Sequence, residues 1–162
     1  MTRLKAIFLL ILIFVVTAGL SFYFENKFQI TIRHLYSSLT DNKISFEHPR
    51  KYFHFASDLF VFSFGLYMTL LSYLIFKQTP RQRIINSLLT FILFPFTVLL
   101  YSYFDGLIKL VECTACDDGT RVLKYNDIRY DSIFVISLII SLIPVLTTQL
   151  KKSIRTRKQN VN

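Results

Sequence analysis

Tryptophan is absent from this chain, glycine and proline occur four times each, and only two residues are cysteine. So little glycine and proline excludes a collagen-like or linker-dominated protein, and the apolar content excludes extended disorder. Acidic residues are also scarce, ten against nineteen Lys and Arg, for a formal net charge of +9 over 162 residues. No phosphate-cradling glycine loop, zinc-protease helix signature or serine-nucleophile turn occurs, so an ordinary hydrolase or nucleotide enzyme is not expected. No cofactor and no metal is assigned. The reading leans towards a protein that is not an enzyme, with thiol-disulfide exchange as the one catalytic chemistry left open.

What is present is hydrophobic: 52% of the residues are apolar and 16% aromatic. They do not alternate with polar residues at a helical or strand period, as in a soluble domain, but gather into long unbroken runs. A bilayer core about 30 Å thick takes roughly 20 apolar residues in a helix, because each backbone amide must find its partner within the segment. Four stretches meet this, at about 4–24, 55–76, 84–104 and 133–150, and the only formal charges inside them are Lys5 and Asp58. The expected fold is an all-α integral membrane protein, a bundle of four transmembrane helices in a single domain. Arg3 and Lys5, then an apolar run ending in Val16, Thr17, Ala18 and Gly19, also fit a cleavable secretory signal. The run continues through Leu20, Phe22 and Phe24, longer than a signal core, and favours a retained anchor.

Orientation follows from charge, since Lys and Arg near span ends stay on the cytoplasmic side. Arg3, Lys5, Lys77, Arg81, Arg83, Lys151, Lys152, Arg155, Arg157 and Lys158 occupy the N-terminus, the second connection and the tail over 151–162, with no acid among them. Both termini are therefore expected in the cytoplasm of an inner or plasma membrane. The longer loops, about 25–51 and 105–131, hold the other nine basic residues and nine of the ten acids, and face outward. The basic cytoplasmic set, above all Lys77, Arg81, Arg83, Lys151, Lys152, Arg155 and Arg157, suits anionic lipid headgroups, and no nucleic acid is expected as a partner.

The two halves of the chain resemble one another. At an offset of 80, Arg3 meets Arg83, Phe14 meets Phe94, Thr17 meets Thr97, and Tyr23-Phe24-Glu25 meets Tyr103-Phe104-Asp105. At an offset of 74, Phe60 meets Phe134, Ser63 meets Ser137, and Lys77, Arg81 and Arg83 meet Lys151, Arg155 and Arg157. Either two helical hairpins arose by duplication, or span ends converged on the residues that membrane interfaces favour.

In the first outer loop Phe28, Ile32, Leu35, Tyr36 and Leu39 share one helical face, which predicts an interfacial amphipathic helix in the headgroup layer or over the bundle ends. Asp41 and Asn42 then read as a turn. The second loop carries Cys113 and Cys116 between Glu112 and Asp117-Asp118-Gly119. Two thiols at this spacing can close a disulfide, cycle between redox states or supply half of a metal shell. Outward placement favours the disulfide, and the flanking acids oppose the thiolate that redox work requires. Val122, Leu123 and Tyr125 are read as the start of a short strand.

Four spans with cytoplasmic ends and an outer thiol pair resemble, in architecture, the quinone-linked membrane oxidoreductases that generate disulfides. That family carries a cysteine pair in each outer loop. The first loop here has no cysteine, so an electron relay is not expected and no family residue is carried across.

Near the start of the second span, His54 and Asp58 stand four residues apart on one helix face, where they could line a polar vestibule or a cation site. A hydrogen-bonded helix start assisted by Ser57 is the simpler reading. Pro95 and Pro144, near the middles of the third and fourth spans, are expected kink positions. With no catalytic constellation and two substantial outer loops, the expected function is contact with a membrane or extracytoplasmic protein, as an accessory subunit or an immunity-type protector. Thiol-disulfide chemistry by Cys113 and Cys116, and a small transporter or channel opening at His54 and Asp58, are the alternatives. A homodimer is compatible with so small a bundle.

Overall fold

Between Gly19 and Pro49 the sequence has neither glycine nor proline. In the computed structural model, which describes residues 3–46, 57–111, 121–124 and 127–159, the first helix accordingly continues without a break as α1 (Arg3–Leu39). Its 37 residues extend about 55 Å at 1.5 Å per residue, well beyond a bilayer core. This corrects the expectation of a separate interfacial helix. Phe28, Ile32, Leu35, Tyr36 and Leu39 do lie along one side, but on a direct prolongation of the first span. Ile32 and Tyr36 are wholly buried, while Phe28 and Leu35 pack against the same core. The physical reason is phase: Thr17, Ser21, Glu25, Gln29, Ile32 and Tyr36 are buried at steps of three or four, so one helical face serves span and prolongation alike.

Past Leu39 the chain turns through Asp41 and Asn42, both at positive φ (51° and 60°), a region that Asn and Asp tolerate better than most residues. Asn42 N–H donates to the Ser37 carbonyl at 2.8 Å, and Ser37 Oγ donates to Asn42 Oδ1 at 2.9 Å. The turn delivers β1 (Ile44–Phe46), which pairs in parallel with β2 (Arg121–Leu123), Ile44 opposite Arg121 and Ser45 opposite Val122. β2 falls where the strand was expected, Tyr125 lies outside the described residues, and β1 has no counterpart in the sequence reading.

Ser57 caps α2 (Asp58–Phe76) by accepting the Phe60 N–H at 3.1 Å. α3 (Pro80–Val111) starts on a proline, which supplies a preset φ and forfeits an N–H that a first turn cannot use. It remains helical through Pro95 and on to Val111. The fourth span divides into α4 (Tyr130–Ser141) and α5 (Ile143–Gln159) at Leu142, two residues before Pro144, whose missing N–H cannot bond the Ile140 carbonyl. Among the described residues four stretches are thus long and apolar enough to cross a membrane: Leu4–Leu39, Asp58–Phe76, Pro80–Val111 and Tyr130–Ile154.

α1 packs on α2 and α3 on α4. The two pairs join through α2 and α4 and, towards the end that carries β1 and β2, through α1 and α3. An aromatic node ties all four spans. Phe60 of α2 stacks on Phe134 of α4 with ring centroids 3.8 Å apart, and Phe28 of α1 and Phe94 of α3 close on Phe134 at 5.2 and 6.0 Å. Around the node the interior is notably polar, with Thr17, Ser21, Asn86, Thr90, Ser102, Ser137 and Ser141 buried, while Phe8, Phe62, Ile84, Phe91 and Ile139 are exposed. That inversion matches helices solvated by lipid, where small and hydroxyl side chains permit close backbone approach and the apolar ones face outward.

Candidate functional site

Three groupings of polar side chains stand out, two near the β1–β2 end and one at the opposite end. The first lies where α1, α2 and α4 converge. Glu25, only 5% exposed, accepts Gln29 Nε2 through one carboxylate oxygen at 3.0 Å and the Ser57 backbone N–H through the other at 2.9 Å. Ser57 Oγ in turn donates to Asp131 Oδ1 at 3.0 Å. One serine thus bridges two carboxylates while capping a helix. The groups can hold a proton or orient water, and they fix the height at which three helices meet. Asp58 is the first residue of α2 and is exposed, where a negative charge favours the helix N-terminus. His54 lies outside the described residues.

The second grouping forms the cap built by the prolonged halves of α1 and α3. Tyr36, fully buried, donates its hydroxyl to Asp105 of α3, whose Oδ2 also stands 3.9 Å from Lys109 Nζ. Gly106 of α3 faces the same cluster: a Cβ there would sit 3.4 Å from Thr40 Cγ2 and 3.7 Å from the Tyr36 ring, ordinary packing distances. Ile44 of β1 and Leu123 of β2 complete the packing at 0% and 1% exposure. Beside the cap, an apolar groove of about 310 Å³ runs between α3 and α4, lined by Leu100, Phe104, Asp105, Ile108, Ile136 and Ile140. Above it the last turn of α3 stays apolar and open, with Ile108 56% and Val111 84% exposed.

At the opposite end, Asn86 Nδ2 donates to Gln78 Oε1 at 2.8 Å and to Thr148 Oγ1 at 3.1 Å, joining the α2–α3 connection to α5. Lys77, Arg81, Lys151 and Lys152 are exposed there, Arg83 is half-buried, and Arg155 and Arg157 continue α5. Lys77 Nζ lies 3.9 Å from the centre of the Tyr73 ring and the Arg83 guanidinium 5.8 Å from that of Phe76. Cationic and aromatic groups side by side suit a membrane boundary.

Cys113 and Cys116 lie outside the described residues. Among the described residues no group of three or more His, Cys, Asp or Glu could hold a metal ion. Sequence reasoning treated Glu25, Asp105 and Asp131 as loop acids and did not single out Gln29. One signal was available, since Gln29 follows Glu25 by one helical turn, whereas the Tyr36–Asp105 pair joins residues 69 positions apart. No protein-family model, curated protein or solved structure matches this chain.

Proposed function

We propose that this is a multi-pass protein of a cytoplasmic-type membrane that works by protein–protein contact through its extracytoplasmic cap, as an accessory subunit or an immunity-type protector. The observation that carries the reading is the exposed apolar edge of the cap. α3 runs 32 residues where roughly 20 suffice for a bilayer, and its last turn still presents Ile108 and Val111 to the outside. An exposed apolar edge on a braced scaffold is the kind of surface that a partner covers. The positive-inside distribution supports cytoplasmic termini, with the cap on the other side.

Site-specific photocrosslinking in intact cells tests this. A photoreactive residue at Val111 or Val122 is expected to give one discrete protein adduct that the same probe at lipid-facing Phe91 does not. Diffuse or absent adducts at both cap positions would sink the reading.

A duplicated-hairpin origin has its own support. Three α2–α4 contacts join residues 74 positions apart, Ser57 with Asp131, Phe60 with Phe134, and Tyr67 with Ser141 at 2.9 Å. Equivalent residues meet in this way along a twofold axis between two like hairpins. Thr17 and Thr97, 80 positions apart, also bond back alike to their own helices. A second functional reading, a carrier with an outer polar vestibule, draws on the Glu25–Ser57–Asp131 bridge. Under it Asp131→Asn abolishes transport while leaving the cap crosslinks unchanged.

A further inference from the structure

We propose that the end of the bundle bearing the termini contains a binding site for a phosphate group, seated between the α2–α3 connection and α5 and filled by the headgroup of an anionic phospholipid. The two basic segments are physically joined there: Lys152 Nζ donates to the Lys77 carbonyl at 3.2 Å, and Gln149 Nε2 to the Leu74 carbonyl at 2.8 Å. Between them lie buried donors that lack an acceptor. Gln78 is 7% exposed and its Oε1 is taken by Asn86, which leaves its Nε2 buried without a partner, and Arg83 Nε is buried without one as well. Both orphans are N–H groups. They call for an acceptor, and a buried donor left unmet is costly.

The surroundings reinforce the sign. α3 begins at Pro80 directly after Gln78 and Thr79, has no acid in its first turn, and directs N–H groups out of its positive end. No Asp or Glu occurs anywhere in 1–24, 59–104 or 132–162, so no acidic side chain of these segments is available to neutralise Lys77, Arg81, Arg83 and Lys151. An acceptor from outside the chain would meet the two orphan donors. A phosphate offers several oxygens to donors in this arrangement. The aromatic rings beneath Lys77 and Arg83 set those cations at headgroup depth, which favours a lipid over a soluble anion as the source.

Native mass spectrometry of the full-length, delipidated chain in detergent tests the site, with phosphatidylglycerol and phosphatidylcholine of identical tails as probes and inorganic phosphate as competitor. One phosphatidylglycerol is expected to be retained in preference to phosphatidylcholine. Arg83→Gln and Lys152→Gln are each expected to weaken it about tenfold, as for loss of one charge-assisted hydrogen bond, and Lys27→Gln at the other end to leave it unchanged. Lys152 is exposed, so its substitution keeps the test intact if Arg83→Gln fails to fold. Displacement of the lipid by inorganic phosphate would confirm the site and reassign its source to a soluble anion, whereas resistance would confirm the lipid. Equal retention of the two lipids, or an affinity that neither substitution moves, would overturn the proposal. None of these outcomes depends on the cap having a partner.

Discussion

Two helical glycines illustrate how much single positions differ within the spans. A Cβ at Gly65 would stand 2.8 Å from Cε2 and 3.0 Å from Cδ2 of Phe14, so α1 rests its ring directly on the α2 backbone there. At Gly19 a Cβ would meet nothing within 4 Å. Gly65→Leu is therefore expected to destabilise the α1–α2 pair by about 1–3 kcal/mol through overpacking. Gly19→Ala should be neutral or stabilising by up to about 1 kcal/mol from helix propensity. Denaturant unfolding of the detergent-solubilised chain checks both, and equal effects at the two sites would contradict the Phe14 packing. Tyr36→Phe removes one hydroxyl and, among the described residues, leaves Asp105 its contact with Lys109, 3.9 Å away. The expected loss is about 1–3 kcal/mol for a hydrogen bond to a charged group, read in the same unfolding assay.

Elements are longer than hydropathy alone suggests. α1 and α3 are longer than a bilayer core requires because no proline interrupts 25–39 or 105–111, and Gly106 does not end α3. The prolongation then needs bracing, and three-residue strands contribute few hydrogen bonds of their own. Side-chain burial holds them. Leu123→Ala, at a site 1% exposed, is expected to cost about 2–5 kcal/mol locally and to speed amide exchange across Ile44–Phe46 without altering exchange in α2. Unchanged protection in β1 would mean that β2 does not stabilise it. Helix interruption is equally selective, since Pro144 coincides with a break and Pro95 does not. Sequence marks both prolines as kink sites but does not show which break the surrounding packing permits.

At the scale of the whole molecule, the charge distribution predicts that a reporter fused after Asn162 reads cytoplasmic and one inserted near Asp118 reads external. The reverse result would place the basic end outside and remove the basis for a headgroup site there. Much of this architecture was legible in the sequence. Four apolar runs become four helical stretches of membrane length, the last divided at Leu142, and the 74-residue match of Phe60 with Phe134 reappears as a stacked pair. The candidate site was far less legible. Ser57 was visible as a helix start, but its bond to Asp131 was not, and Glu25 gave no sign of being buried rather than wet.

Hydropathy and net charge are additive along the chain, so the sequence by itself determined that four long apolar stretches occur and that one end is basic. No window of residues contains a contact between distant segments. Which face of α1 meets α3, how Tyr36 reaches Asp105, that β1 pairs with β2, and that Gln78 and Arg83 hold buried donors without acceptors were decided only by tertiary structure. Each depends on the relative depth and rotation of helices tens of residues apart, and side-chain packing across the interior sets both.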